Sequence, residues 1–426
     1  MLNRKIAPAQ HPIQDISLVE PEEIIFENGL RVFVFRAEGQ ELLKAEFIFQ
    51  NLFSEPENPL LHTCLSHMIK EGTSNRTSAQ IADEIDFYGA YLMPEYSFDQ
   101  TSLTLYTLNK HVYAVLPIVQ DIFCNATFPE AELATYIRNN KQTLQISLQK
   151  NDYIARRLFY NYLFGATRYG VTPTEEAYES INRTDLIALY GKQIHPGNCT
   201  LILSGNVTPD VLGAMQAHFG SPWKESLDTV APTAPTFPAF VPSTIVEERP
   251  GSLQSAVRLG MPSVNRTHPD FPALQFVNTL FGGYFGSRLM RNVREEKGFT
   301  YSIGSALASL KYTGFFTIAS EVGVDVTQAT LQEIEKEFAQ LSASTPSAEE
   351  VKLVANYMLG STLGSLESIF SHADKFKAVY FYGMSLDYYR QYSEIIRTMT
   401  PEKAQEIARE YFDYGRLLKV IVGSIQ

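Results

Sequence analysis

Residues 221–243, SPWKESLDTVAPTAPTFPAFVPS, carry prolines at 222, 232, 235, 238 and 242 and divide the chain near its midpoint. Each proline fixes φ and removes a backbone donor, so a run of them supports neither a helix nor a central strand. The stretch reads as an extended linker, residues 222–244, between two domains of similar size, 1–221 and 245–426. That position prompts a comparison of the halves. In the first, residues 60–72 read as a helix, Gly89-Ala90-Tyr91 opens a strand, Ser102-Leu103-Thr104-Leu105-Tyr106 alternates as a strand, and Pro129-Glu130-Ala131-Glu132-Leu133 starts another helix. The second repeats that order with a long helix over 271–296, a strand after Gly298-Phe299-Thr300-Tyr301, an alternating Gly314-Phe315-Phe316-Thr317-Ile318, and a helix starting at Pro346-Ser347-Ala348-Glu349-Glu350. The offsets are 209 to 217 residues. Two copies of an α+β unit follow, each an antiparallel sheet with helices packed on one side.

Smaller signals fill in the outline. Residues 29–35 and 200–204 read as further strands bounded by turn residues. Ser344 or Thr345 before Pro346, with acids in the first turn, is the expected chemistry of a helix start. The helix over 350–367 has an apolar stripe for core or interdomain packing. Gly282-Gly283-Tyr284-Phe285-Gly286 lacks the spacing of a phosphate loop and reads as close packing or a turn before Ser287. Residues 1–20 read as an extended or partly disordered arm, and the acids at 22, 23, 55 and 57 as a solvated face.

Composition narrows the function classes. The chain has 426 residues, 45% apolar and 19% charged, with 27 Phe and 23 Tyr, enough to bury sizeable cores. A net charge of −12 opposes nucleic-acid binding, which depends on Lys and Arg displacing counterions. Cys64, Cys124 and Cys199 form neither an even set nor a CxxC pair, as expected in a reducing compartment. There is no leader-like apolar core at the start and no run long enough to span a bilayer. A cytoplasmic protein with no membrane or nucleic-acid partner is expected.

The segment Leu61-His62-Thr63-Cys64-Leu65-Ser66-His67-Met68-Ile69-Lys70-Glu71-Gly72-Thr73 resembles the zinc-site helix of the M16 (pitrilysin-like, inverzincin) metallopeptidases. The resemblance covers most of the chain, with further anchors at Asn28-Gly29-Leu30-Arg31-Val32, His195-Pro196-Gly197-Asn198, Gly205-Asn206-Val207 and Ser287-Arg288-Leu289. It implies an H-x-x-E-H helix whose two His bind Zn²⁺ while the Glu acts as general base. Aligned on His67, that pattern puts Thr63 at the first His and Ser66 at the Glu. A threonine hydroxyl is a poor zinc ligand, and serine cannot take a proton from a metal-bound water. The family's third ligand, a Glu about 75 residues on by the family's spacing, has no counterpart in residues 138–152, RNNKQTLQISLQKND. A site rebuilt from His62, Cys64 and His67 fails on helical geometry, because His62 and His67 are five residues apart and diverge. No metal is expected on this chain.

The second half carries the opposite message. The spacing from Arg294 to Tyr301 matches the family's Arg/Tyr pair, which the resemblance implies contacts the substrate backbone and the reacting carbonyl. Guanidinium and phenol can both donate to a peptide carbonyl or to an oxyanion developing on it. The reading that follows is a non-catalytic, substrate-binding subunit of a heterodimeric M16-like zinc peptidase. An H-x-x-E-H-bearing partner would carry the zinc, and peptides or unfolded segments would be the substrates. The alternatives are a homodimer, a structural or assembly homologue without peptidase activity, and a self-sufficient zinc endopeptidase.

Overall fold

The computed structural model describes residues 13, 16–39, 41–52, 58, 60–224 and 232–424. Most of the expected N-terminal arm, the acids at 55 and 57, and linker residues 225–231 lie outside the described residues. The chain divides into two compact units, Val19–Phe240 with Ser368–Asp374, and Val241–Glu367 with Lys375–Gln426. The boundary at Phe240 falls inside the proline-rich stretch.

The first unit is built on six strands, β1 (Glu22–Ile25), β2 (Arg31–Arg36), β3 (Leu42–Gln50), β4 (Tyr91–Tyr96), β5 (Gln100–Leu108) and β6 (Cys199–Gly205), in the order β1-β2-β6-β3-β5-β4. The second has β7 (Thr244–Glu248), β8 (Gln254–Ser263), β9 (Thr300–Ser309), β10 (Gly314–Gly323) and β11 (Leu418–Gly423), in the order β7-β11-β8-β10-β9. Apart from β1 the two orders superimpose, with the unit's last strand inserted beside its first. That insertion corrects the expectation of purely antiparallel sheets, because β2 pairs with β6, and β7 with β11, in parallel. The last strand of each unit returns after a long helical connection, so no hairpin fixes its direction.

Alternation in β3 explains the layering. Leu43, Ala45, Phe47 and Phe49 point to one face and join Leu61, Cys64, Leu65, Val115, Val119, Met215 and Phe219 from three helices in one core. Lys44 and Glu46 point to the other face. The first sheet therefore carries a helical layer on the apolar face of β3.

Three local expectations change. Residues 271–296 are not one helix but an α-helix, Phe271–Asn278, a π-turn at Thr279–Gly283, an extended break at Tyr284, and a second π-helical segment, Met290–Glu296. Gly282 in the π-turn lies close against the sheet, where a Cβ would sit 2.5 Å from Ser305 Oγ. The helix Ala348–Gly364 is capped by Ser347, whose hydroxyl accepts from Glu350 N, rather than by Ser344 or Thr345. The described part of the linker is extended but not free, since Phe237 stacks on Tyr169 and Pro238 packs on Gly165.

Asp121 fixes the loop that follows the helix Leu61–Met68. It is 5% exposed and accepts from Thr73 Oγ1 (2.6 Å), Asn75 Nδ2 (2.6 Å), Arg76 Nη1 (2.8 Å) and Asn125 Nδ2 (2.8 Å). Burial works against its charge, but these four donors outweigh that and hold the carboxyl below its ordinary pKa. A depressed carboxyl pKa contributes stability that is present above the unfolded value and lost as pH falls through the folded one. Asp121→Asn turns an amide donor toward other donors and is expected to cost about 2–4 kcal/mol at neutral pH. Urea unfolding checks this, and the gap between variant and wild type should close as the pH drops below about 4.

Candidate functional site

In the first unit the helix Leu61–Met68 sends Leu61, Cys64, Leu65 and Met68 into the core at spacings of three and four. The remaining positions carry the degenerate motif. Ser66 is fully buried and its Oγ makes no hydrogen bond among the described residues. Thr63 lies near the Tyr96 phenol, on edge strand β4. Burial pushes that phenol up to about 12, so it stays a neutral hydroxyl. Close by, Asp99 accepts from Arg168 Nη2 at 3.0 Å and from the Tyr169 hydroxyl at 2.7 Å. The first zinc-ligand position thus has a neutral phenol as its neighbour.

His67 is exposed, with its ring centroid 5.9 Å from that of Tyr136 on the helix Glu130–Ser147. Burial of the imidazole against its neighbours, reinforced by the Lys70 charge, lowers its pKa below the ordinary value. His62 is fully buried, on a different side of the helix from His67. Cys64 is buried too, and burial raises its thiol to about 12, which removes the thiolate a metal would need. Among the described residues no three His, Cys, Asp or Glu side chains cluster as a metal site would require. A threonine hydroxyl, a buried serine and one imidazole do not fit Zn²⁺.

The second unit arranges its pair differently. Arg294 lies on the segment Met290–Glu296 and Tyr301 near the start of β9, an edge strand. Between Val322↔Thr300 and Ser320↔Ile303 the ladder with β10 gains one residue on β9, so Tyr301 and Ser302 together face Glu321. This bulge re-aims a side chain as bulges do at edges. It is held by hydroxyls: Thr300 Oγ1 donates to Glu321 O (2.7 Å) and Ser320 Oγ to Ser302 O (2.9 Å). The outcome is a Tyr301 that is 90% exposed. Arg294 Nε donates to Tyr301 O at 2.9 Å, and its guanidinium carbon lies 5.6 Å from the Tyr301 ring and 4.7 Å from the ring of Phe285. Arg294 and Tyr301 are the candidates that the spacing and the family resemblance singled out. Sequence reasoning missed Phe285 and Tyr96, whose only signal was an aromatic residue at a strand end or beside glycines.

The donor chemistry of Thr63, Ser66 and His67 leads to one outcome for the purified chain. After dialysis its zinc content should be well below one equivalent and should not change in His67→Ala, as elemental analysis would show. Near one equivalent in the wild type, lost in the variant, would contradict this geometry.

Comparison with known proteins agrees with this architecture. Residues 58–169 match the family profile "Insulinase (Peptidase family M16)" and residues 180–358 match "Peptidase M16 inactive domain". An uncharacterized zinc protease, YmxG, of Bacillus subtilis is 26% identical over 306 residues, 71% of this chain and 74% of the relative. The mitochondrial-processing peptidase subunit beta of Bos taurus is 28% identical over 358 residues, 78% of this chain and 70% of the relative. Among solved structures, a peptidase M16 inactive domain from Pseudomonas fluorescens superimposes with a TM-score of 0.86 at 21% identity, covering 96% of this chain and 99% of its own. A Helicobacter pylori protease gives 0.85 at 18% identity, covering 96% and 100%. With residues 58–169 and 180–358 matched by profiles of one family, the chain belongs to the M16 peptidase family.

Proposed function

We propose that this chain is a non-catalytic subunit of an M16-type peptidase, completing with Arg294 and Tyr301 an active site whose metal and general base belong to a partner. The observation that carries the reading is the contrast between the two units. In the first, the three motif positions leave a single imidazole, His67, with neither a second ligand nor a general base beside it. In the second, an edge-strand bulge presents Tyr301 almost wholly to solvent, and Arg294 is stacked and oriented beside it.

The chemistry asked of this pair is donation. A peptide carbonyl gains negative charge as a nucleophile adds to it, and fixed N–H and O–H donors lower the barrier when they meet that charge. Tyr301 supplies a hydroxyl with no partner among the described residues, and Arg294 supplies a permanent cation that needs no proton transfer. Two copies of this chain would carry two such pairs and, among the described residues, no ligand set for metal, so in this reading the partner differs from it and carries H-x-x-E-H. Substrate in this reading is a peptide or an unfolded segment, laid as an extended strand along a sheet edge.

In a reconstituted complex with an H-x-x-E-H-bearing partner, Arg294→Ala or Tyr301→Phe should lower kcat by ~10²–10³-fold without loss of assembly, because one donor facing an oxyanion is typically worth that much. Rates per assembled complex, with assembly followed by size-exclusion chromatography, check this. Unchanged kcat in both variants would favour a structural or assembly role.

A further inference from the structure

The guanidinium of Arg294 has five N–H donors in one plane and two edges that can form a two-pronged contact. One edge uses Nε, which is already committed to Tyr301 O. The other is the end-on edge between Nη1 and Nη2, and neither nitrogen has a hydrogen bond or an ion-pair partner among the described residues. Phe285, 63% exposed, lies over the guanidinium, and Tyr301 lies beside it. The rings restrict its rotation and shield its faces from water while the free edge stays open. Glu295 and Glu296 follow in sequence, but neither forms an ion pair with Arg294 among the described residues.

Two parallel donors on one edge match two acceptor oxygens set a carboxylate's width apart, whereas a peptide carbonyl offers a single oxygen. We propose that the Phe285–Arg294–Tyr301 stack is a carboxylate-recognition site, selecting peptides that bear an acidic side chain or a free C-terminus. Its substrate meaning rests on the peptide-binding reading above, while its chemistry stands on the free edge of Arg294.

The test uses the purified chain and three short fluorescein-labelled Ala/Gln peptides, followed by fluorescence anisotropy at low salt. One ends in a free carboxylate, one is amidated with a single internal Glu, and one is amidated and neutral. Either acidic peptide should bind about tenfold more tightly than the neutral one, and which of them does so identifies the source of the carboxylate. Arg294→Ala should abolish the preference, and Arg294→Lys should lose most of it, because an ammonium is a point charge without the fork. Phe285→Ala should weaken it about threefold, with folding checked by circular dichroism. Equal affinities, a preference that survives Arg294→Ala, or no binding of any peptide at millimolar concentration would overturn the proposal. A kcat loss for Arg294→Ala on the neutral peptide in the reconstituted complex, without acid preference, would leave the active-site reading standing and remove this one. Acid preference with unchanged kcat would do the reverse.

Discussion

The first unit depends on a strand that has to be buried on both sides. In β3 every residue from Leu43 to Phe49 is buried, yet the strand carries Lys44 and Glu46 on one face. Lys44 is only 6% exposed, and its Nζ lies 2.8 Å from Asp374 and 3.3 Å from Glu46. Burial opposes the ammonium, but the two acids outweigh it and raise its pKa. Removing either acid would leave a buried charge poorly compensated, which is more damaging than the pair itself is stabilising. The short segment Ser368–Asp374, far along the chain, therefore belongs to this unit: it supplies the second acid that allows the polar face of the central strand to be covered.

The two units share a topology and differ in what it presents. In the first, β4 and β5 pair without a register break, from Tyr91↔Tyr106 to Tyr96↔Thr101, and the phenol of Tyr96 turns in to meet Thr63. Edge strand β4 also carries Pro94, which cannot donate to an added strand. In the corresponding hairpin of the second unit, one extra residue in β9 swings Tyr301 outward. One repeat holds Thr63 and a buried Ser66 at its motif positions, and the other presents a donor pair in which Tyr301 faces solvent. A matching fold does not carry activity with it, because activity depends on a few side chains that the backbone tolerates losing.

The π-helical segments at Thr279–Gly283 and Met290–Glu296 belong to the same arrangement. Close contact of Gly282 with Ser305 ties the first to β9, and Arg294 at the end of the second returns to β9 through Tyr301 O. The broken helix and the bulged strand thus brace each other around the site. Wide helical turns of this kind are often found at functional positions.

Much of this was legible in the sequence. The prolines at 222–242, the repeat offsets and the two-residue alternation in β3, β5 and β10 determined two α+β halves, because linker stiffness and face burial are local properties of residue type and spacing. The identities of Thr63 and Ser66, and the spacing of Arg294 to Tyr301, were equally local. What the sequence left open was settled by contacts between residues distant along the chain. The parallel pairing of β2 with β6, the pairing of Lys44 with Asp374, the π-turns where an ordinary helix was expected, the bulge opposite Glu321 and the stacking of Phe285 on Arg294 have no signature within any short window. Each is decided when packed elements compete for the same space and the same hydrogen bonds, and that competition exists only in the folded chain.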